Sequence, residues 1–232
     1  MRIEVWSDVV CPWCYIGKRR LESALAEFPH EVEVVWRSFQ LDPGAPVVPT
    51  ESVAESLGRK YGGGPEAGVR MIDNVEAVAA EEGLIYRLHS AQRANTVDAH
   101  RVLHLALEQG GPALQGAVKE ALLAAYFTDA RNVADHAELR DIAVGAGVDP
   151  ERVDAVLAST EYRDEVYADI EQAQAFGAGG VPFFVIDRKY GVSGAQPAAT
   201  LRQVLDQAWA DAHPVLEVVG GGDACGPDGC AV

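Results

Sequence analysis

The chain contains four cysteines, and two of them, Cys11 and Cys14, are separated only by Pro12 and Trp13. This Cys-x-x-Cys segment follows an alternating stretch typical of a strand and precedes a helical pattern. The free N–H groups and the positive dipole end of a helix favour a thiolate at its start, so we assign Cys11 as the nucleophile. Cys14 lies one helical turn later and can resolve a mixed disulfide formed on Cys11.

Pro12 and Trp13 shape the cysteine pair without taking part in its chemistry. Pro12 falls in the first helical turn, where its missing N–H costs no hydrogen bond. Trp13 presents an apolar surface beside the sulfur. We expect both side chains to contact the substrate.

The other two cysteines, Cys225 and Cys230, enclose a turn-prone Gly-Pro-Asp-Gly segment close to the end of the sequence. They can close a short disulfide loop, and a preceding glycine run at 220–222 can serve as a flexible tether. On such a tether they would form a second redox pair that exchanges electrons with the first. The alternatives are two exposed thiols, or one zinc ion held by all four cysteines. A helix-borne pair combined with a glycine-rich pair fits a tetrahedral zinc site poorly.

Two histidines, His100 and His104, have the i, i+4 spacing that can hold a metal ion on one helix face. No acidic third ligand is evident, and the leucines around them indicate an ordinary amphipathic helix. We therefore predict no metal site. The proposed redox chemistry needs no cofactor either, because the sulfurs exchange the electrons themselves.

The elements that must position these residues change character along the chain. Alternating segments at 3–8 and 32–39 flank the first helix and predict a right-handed parallel crossover. Strand-forming patterns return at 183–186 and 190–192, and Pro197 begins a final helix. Between them only helical patterns occur: 51–61, 66–82, 96–109, 112–127, 136–144, 151–158 and 162–176. The pattern predicts an α/β fold interrupted by an all-helical insertion.

Several segments together form a recognisable set, namely Ser7-Asp8-Val9-Val10-Cys11-Pro12-Trp13-Cys14-Tyr15-Ile16-Gly17, Asn95-Thr96 with Ala99-His100-Arg101, Gly180-Val181-Pro182 and Ser193-Gly194-Ala195-Gln196. This set resembles the DsbA-like thioredoxin-fold family, and the nearest branch is the FrnE-type dithiol-disulfide oxidoreductases. The resemblance covers residues 1–212 approximately. It implies a disulfide oxidoreductase or isomerase that acts on protein or small-molecule thiols and disulfides, with glutathione among the candidates.

The resemblance also implies a domain organisation that agrees with the periodicity. A discontinuous thioredoxin-like domain comprises 1–48 and 160–214, a helical insertion comprises 49–159, and a flexible tail comprises 215–232. Pro182 would follow a cis peptide bond and lie against the cysteine pair. Main-chain groups of Val181 would then be available to pair with a substrate strand.

Two other classes of function remain open from the sequence. Kappa-class glutathione transferases and 2-hydroxychromene-2-carboxylate isomerases share the Pro-Trp-Cys-Tyr-x-Gly and Ser-Gly-Ala-Gln segments, but they carry serine at the position of Cys11. Sulfur at that position favours electron exchange over activation of glutathione. The third possibility is a redox-gated binding module or holdase.

The chain of 232 residues is acidic, with a net charge of −16. Nucleic-acid binding requires a local excess of Lys and Arg, so this composition argues against it. No run of 18 apolar residues occurs, which excludes a membrane-spanning helix. The sequence begins directly with a strand pattern rather than a signal peptide, so we predict a cytoplasmic location. Thiols are kept reduced there, which favours redox cysteines over structural disulfides.

Overall fold

The computed structural model describes residues 1–214. It contains a four-stranded sheet in the order β2-β1-β3-β4. The strands are β1 (Arg2–Ser7), β2 (Glu33–Ser38), β3 (Phe183–Ile186) and β4 (Tyr190–Ser193). β1 and β2 are parallel, whereas β3 is antiparallel to both of its neighbours. The helices are α1 (Pro12–Ala26), α2 (Val53–Tyr61), α3 (Gly64–Glu81), α4 (Val97–Phe127), α5 (His136–Gly145), α6 (Pro150–Leu157), α7 (Arg163–Ala175) and α8 (Ala198–Ala212).

Helices cover both faces of the sheet, and every residue of β1 after Arg2 is buried. Ile3 and Val5 of β1 pack with α1 and α8 on one face. Trp6 lies on the other face with Phe183 and with Ala173 of α7. The arrangement is a sheet between helical layers, as the strand–helix–strand pattern predicted.

The predicted all-helical insertion is present as α2 to α6, and its hydrophobic cluster also includes Val9 before α1 and Tyr15 and Ile16 at the start of α1. Local sequence signals set its helix ends: Ser52 and Glu55 form a capping box at α2, and Asp149 caps α6. The two helices predicted at 96–109 and 112–127 are consecutive parts of α4. A left-handed Gly111, with φ of 64°, precedes Pro112 at the kink between them. None of the described helices is long and apolar enough to cross a membrane.

Side chains of α4 and α7 attach these helices to β2, the edge strand. The amide of Gln115 accepts from the Trp36 N–H and donates to the Trp36 carbonyl, at 2.9 Å in each case. Asp169 of α7 accepts from the Ser38 N–H at 2.9 Å. These bonds satisfy backbone groups that an edge strand would otherwise leave open.

Candidate active site

The Cys-x-x-Cys segment forms the start of α1, immediately after β1 and a short turn. Cys11 is the N-cap residue with an extended backbone, and Pro12 is the first helical residue. The Cys14 N–H donates to the Cys11 carbonyl at 3.0 Å, and both cysteines are free thiols. The helix therefore begins where the sequence predicted, and it places both sulfurs at its positive end.

The two thiols differ in their access to ligands. Cys11 is 3% exposed but lines a cavity, whereas Cys14 is 1% exposed and does not. The Cys11 thiol donates to the Val181 carbonyl at 3.5 Å. Burial raises the pKa of the Cys14 thiol well above its usual value, and the hydrogen bond and charge of Cys11 raise it further. The buried thiol is thus held protonated beside the accessible one.

The loop before β3 faces the cysteine pair, and its Val181–Pro182 peptide bond is cis, as the sequence predicted. Pro182 packs closely on α1 at Gly17, where an added Cβ would lie 2.9 Å from the proline Cγ. A larger residue at Gly17 would push this loop away from the helix. Glycine at that position therefore permits the close approach that brings Val181 to Cys11.

A buried polar cluster lies near the cysteine pair, formed by Asp8, His100 and Lys119. One carboxylate oxygen of Asp8 accepts from the Leu41 N–H at 2.8 Å, and the other is 3.4 Å from His100 Nε2. Burial acts to raise the pKa of Asp8, but the hydrogen bonds from His100 and Leu41 outweigh it and lower that pKa. Burial also lowers the pKa of His100, which favours its neutral form.

Lys119 of α4 is fully buried, and its Nζ makes no hydrogen bond within residues 1–214. The ammonium lies 5.7 Å from the ring centroid of Trp36. Burial lowers the pKa of Lys119 to about 8, although the negative charges of Cys14 and Asp8 act to raise it. The cationic form of Lys119 in turn favours the Cys14 thiolate. The helical insertion thus places a charge near the cysteine pair.

The sequence reasoning did not identify Lys119, although a signal for it was present. A lysine that shares a helix face with Gln115 and Leu122 falls on the buried side of α4, where lysine is rare unless it is paired. His100 and His104 were interpreted as ordinary helix positions, and the structure gives them separate polar partners. His104 contacts Asp169 at 3.1 Å rather than Asp8. Within the described residues, no three His, Cys, Asp or Glu side chains are grouped as a metal site.

The cavity beside Cys11 has a volume of about 860 Å³. Of the residues predicted to contact substrate, Pro12, Trp13 and Val181 line it, and Pro182 lies buried next to it. Trp13 is 43% exposed at the surface. The remaining predicted site residues, Cys225 and Cys230, lie outside the described residues. The structure therefore brings the residues predicted to contact substrate together around Cys11 and Cys14.

Comparison with known proteins places this geometry in a family. The model of the DSBA-like thioredoxin domain matches residues 2–206. A solved structure of a probable DsbA oxidoreductase from Streptomyces coelicolor is similar to the chain at 50% identity, with a TM-score of 0.85 and coverage of 100% of this chain and 99% of that one. An uncharacterized Bacillus subtilis protein, YwbO, is 44% identical over 43 residues, a match that spans 18% of this chain and 20% of that protein.

More distant solved structures share the fold. The cytosolic disulfide reductase DsbM from Pseudomonas aeruginosa, solved with GSH, is 18% identical with a TM-score of 0.61 over 90% of this chain and 99% of that one. A 2-hydroxychromene-2-carboxylate isomerase is 12% identical with a TM-score of 0.67 over 91% and 98%. The family model covers most of the sequence, from the first strand into α8. The chain belongs to the DsbA-like thioredoxin domain family.

Proposed function

We propose that the protein is a FrnE-type thiol-disulfide oxidoreductase that acts through Cys11 and Cys14. The observation that carries the proposal is the asymmetry of the pair. Cys11 begins a helix and lines a cavity beside the Val181 carbonyl, whereas Cys14 is shielded and protonated. A nucleophile needs access and a stabilised thiolate, and a resolving thiol needs only to reach the first sulfur.

The proposed reaction consists of two exchanges. The Cys11 thiolate attacks one sulfur of a substrate disulfide, forming a mixed disulfide and releasing the first product thiol. Cys14 then attacks the Cys11 sulfur, forming the Cys11–Cys14 disulfide and releasing the second product thiol. Two electrons pass from the cysteine pair to the substrate, and the two protons of the pair end on the two products. The reverse sequence oxidises a substrate dithiol.

Residues around the pair would bind the substrate. In this proposal main-chain groups of Val181 pair with an extended segment, and Pro12, Trp13 and Pro182 make apolar contacts with it; the support is that Pro12, Trp13 and Val181 line the cavity beside Cys11. The proposed substrates are protein or small-molecule disulfides, with glutathione disulfide as one candidate because DsbM shares the fold and was solved with GSH. We also propose a cytoplasmic location, where a reductase would meet reduced partners.

Selective alkylation tests the assignment of the nucleophile. One equivalent of iodoacetamide at pH 7 should label Cys11 in the reduced protein about a hundredfold faster than Cys14, because only Cys11 combines access with a helix start. Insulin-disulfide reduction should fall in proportion to this label. Peptide mapping by mass spectrometry measures the label, and turbidity measures the reduction.

Three results would contradict the proposed function. Full insulin reduction by a protein completely alkylated at Cys11 would remove Cys11 from the mechanism. Glutathione conjugation to an electrophile that survives in Cys14→Ser, without any disulfide reduction by the wild type, would instead favour the transferase or isomerase class. Unlabelled wild-type protein that binds an unfolded client but reduces no disulfide would favour the holdase.

We further propose that Cys225 and Cys230 act as a second redox pair. Trp209, near the end of α8, stacks on His30, and their ring centroids are 3.7 Å apart. α8 therefore ends beside the end of α1 that is farther from Cys11. The 15 residues of α1 span about 22 Å. The 11 residues from 215 to 225 can extend about 36 Å, which is enough to reach the pair.

Deletion after Val219 tests the second pair. We expect the truncated protein to complete one turnover at the wild-type rate but to regenerate its reduced pair several-fold more slowly with an external dithiol, since the intramolecular donor is lost. Stopped-flow turnover and disulfide mapping measure both steps. Unchanged multiple turnover, without any trapped link from Cys225 or Cys230 to Cys11, would exclude the tail from the mechanism.

A further inference from the structure

The cavity beside Cys11 has an apolar wall that the helical insertion supplies. α2 and α3 contribute most of it, and Val10 and Leu88 extend it toward the cysteine. The side chains that α2 and α3 contribute to the wall are those of Val53, Leu57, Met71, Ile72, Val75 and Val78. Such a wall takes an apolar group out of water, with about 25 cal/mol gained per Å² of apolar area buried.

One charged side chain, Lys60, lies among the lining residues. It belongs to the last turn of α2, and its Nζ is 5.5 Å from the ring centroid of Tyr61. Among residues 1–214, no carboxylate lies within ion-pair distance of Lys60, whereas Arg59 beside it is paired with Glu51. Lys60 is exposed, so its ammonium is available to an anionic ligand. The remaining polar lining groups, including Gln40 and Asn74, are neutral.

We propose that this cavity binds a low-molecular-weight disulfide that has an apolar body and a single carboxylate on each half. The apolar body would lie against α2 and α3, the carboxylate would pair with Lys60, and one sulfur would meet Cys11. This inference rests on the proposed function and names the substrate class of the same site. Lys60 is its specificity-determining residue.

The shape of the site favours a small molecule over a folded protein. Cys11 is 3% exposed and lines the cavity, so a small molecule that enters the cavity approaches its sulfur more readily than a disulfide fixed on a rigid folded surface. The volume of about 860 Å³ falls in the range of about 300–1,000 Å³ that small-molecule sites occupy. The charge pattern favours a disulfide whose halves each carry one carboxylate. Each half of oxidised glutathione carries two carboxylates and an ammonium, and burying these charges against an apolar wall costs free energy that the single charge of Lys60 does not offset.

The reaction balances without another reactant. The reduced pair transfers two electrons to the disulfide R–S–S–R, the S–S bond breaks, and two R–SH molecules leave while the Cys11–Cys14 disulfide forms. Both protons of the cysteine pair are carried away by the products. A single turnover of pre-reduced protein therefore measures specificity directly.

The test compares matched disulfides with the full chain, reduced and freed of reductant. The probes are the disulfide of 6-mercaptohexanoic acid, its neutral diamide and oxidised glutathione. We expect the wild type to reduce the acid up to about fivefold faster than the diamide at subsaturating concentration, which is the upper range for one ion pair with an exposed lysine. Oxidised glutathione should be slower than either. Lys60→Met should bring the acid-to-diamide ratio close to one, and Lys60→Arg should keep it.

Arg70→Met is the matched control, because it removes an exposed charge from α3 at a position that does not line the cavity. It should leave the ratio at the wild-type value. A merely structural role of Lys60 would change the melting temperature without changing the ratio. Val78→Trp, which fills the cavity, should slow the reduction of the acid disulfide more than the reduction of oxidised glutathione.

Several outcomes overturn the inference. A ratio near one in the wild type, or a ratio that Lys60→Met leaves unchanged, removes Lys60 as an anion site while disulfide reduction itself still stands. Faster reduction of insulin than of the acid at equal disulfide concentration shows that the cavity serves a protein segment. A trapped Cys11–Cys225 link that blocks both probes shows that the tail of this chain occupies it. If no disulfide oxidises the Cys11–Cys14 pair, the proposed function fails as well.

Discussion

We expect Cys11→Ser to lose disulfide reduction by about 10³-fold or more, and Cys14→Ser to lose turnover while accumulating a mixed disulfide on Cys11. The serine hydroxyl is not ionised near neutral pH and cannot form a disulfide, so the first exchange stops in Cys11→Ser. In Cys14→Ser the first exchange proceeds, because Cys11 still lines the cavity beside Val181. The second exchange is then absent. Non-reducing mass spectrometry after mixing with a peptide disulfide detects the trapped species.

The two variants control for each other, since each replaces one sulfur by one oxygen at a buried position in the same helical turn. Their melting temperatures show whether either substitution disturbs the fold. A mixed disulfide trapped on Cys14 in Cys11→Ser, at the rate seen for Cys14→Ser, would reverse the assigned roles. Equal residual turnover in both variants would show that the first pair is not the redox centre.

The second large effect is expected for Lys119→Met, which should stabilise the fold and slow the resolving step. Lys119 is a fully buried cation without a hydrogen bond in the described residues, so an apolar side chain of similar length should raise the free energy of unfolding by about 1–4 kcal/mol. The same change removes the positive charge that favours the Cys14 thiolate. Attack by Cys14 on the mixed disulfide should become about tenfold slower or more.

The pH dependence separates these effects from a general change in packing. Folding lowers the pKa of Lys119 from 10.5 to about 8. Between about pH 8 and 10.5 the unfolded chain therefore binds a proton on Lys119 that the folded protein has largely lost. Wild-type stability should gain from this group as the pH rises from about 8 toward 10.5. The increase in the free energy of unfolding that Lys119→Met causes should therefore be largest below about pH 8 and should become smaller above it. Urea unfolding between pH 6 and 10 measures this difference.

Lys18→Met is the matched control, because Lys18 is also a buried lysine but is ion-paired with Glu22 and Glu120. Its loss should destabilise the fold and leave the lifetime of the mixed disulfide close to that of the wild type. The mixed disulfide is followed by acid quench and mass spectrometry from pH 6 to 9. An unchanged lifetime and pH profile in Lys119→Met would reduce Lys119 to a structural residue.

Local sequence features allowed the position of the cysteine pair at the start of a helix to be predicted. Cys11, Pro12 and Cys14 are close in sequence, and the change from a two-residue to a 3.6-residue period locates the start of α1 beside them. The helical insertion and the two halves of the sheet follow from the same periodicity. The cis bond at Pro182 depended on the resemblance of its segment, since Val-Pro alone does not determine the isomer.

The surroundings of the pair depend on contacts between distant parts of the chain. Asp8 meets His100 across 92 positions, and the Cys11 thiol meets the Val181 carbonyl across 170. Periodicity shows which face of α4 is buried, but it does not show what that face is buried against, so Lys119 was identified only in the folded chain. The sequence by itself determined the spacing of the two sulfurs and the helix start beside them, because both features are local. Only the tertiary structure decided which sulfur is accessible, which charges act on the other and what cavity adjoins them, because burial and electrostatic environment arise when distant segments pack together.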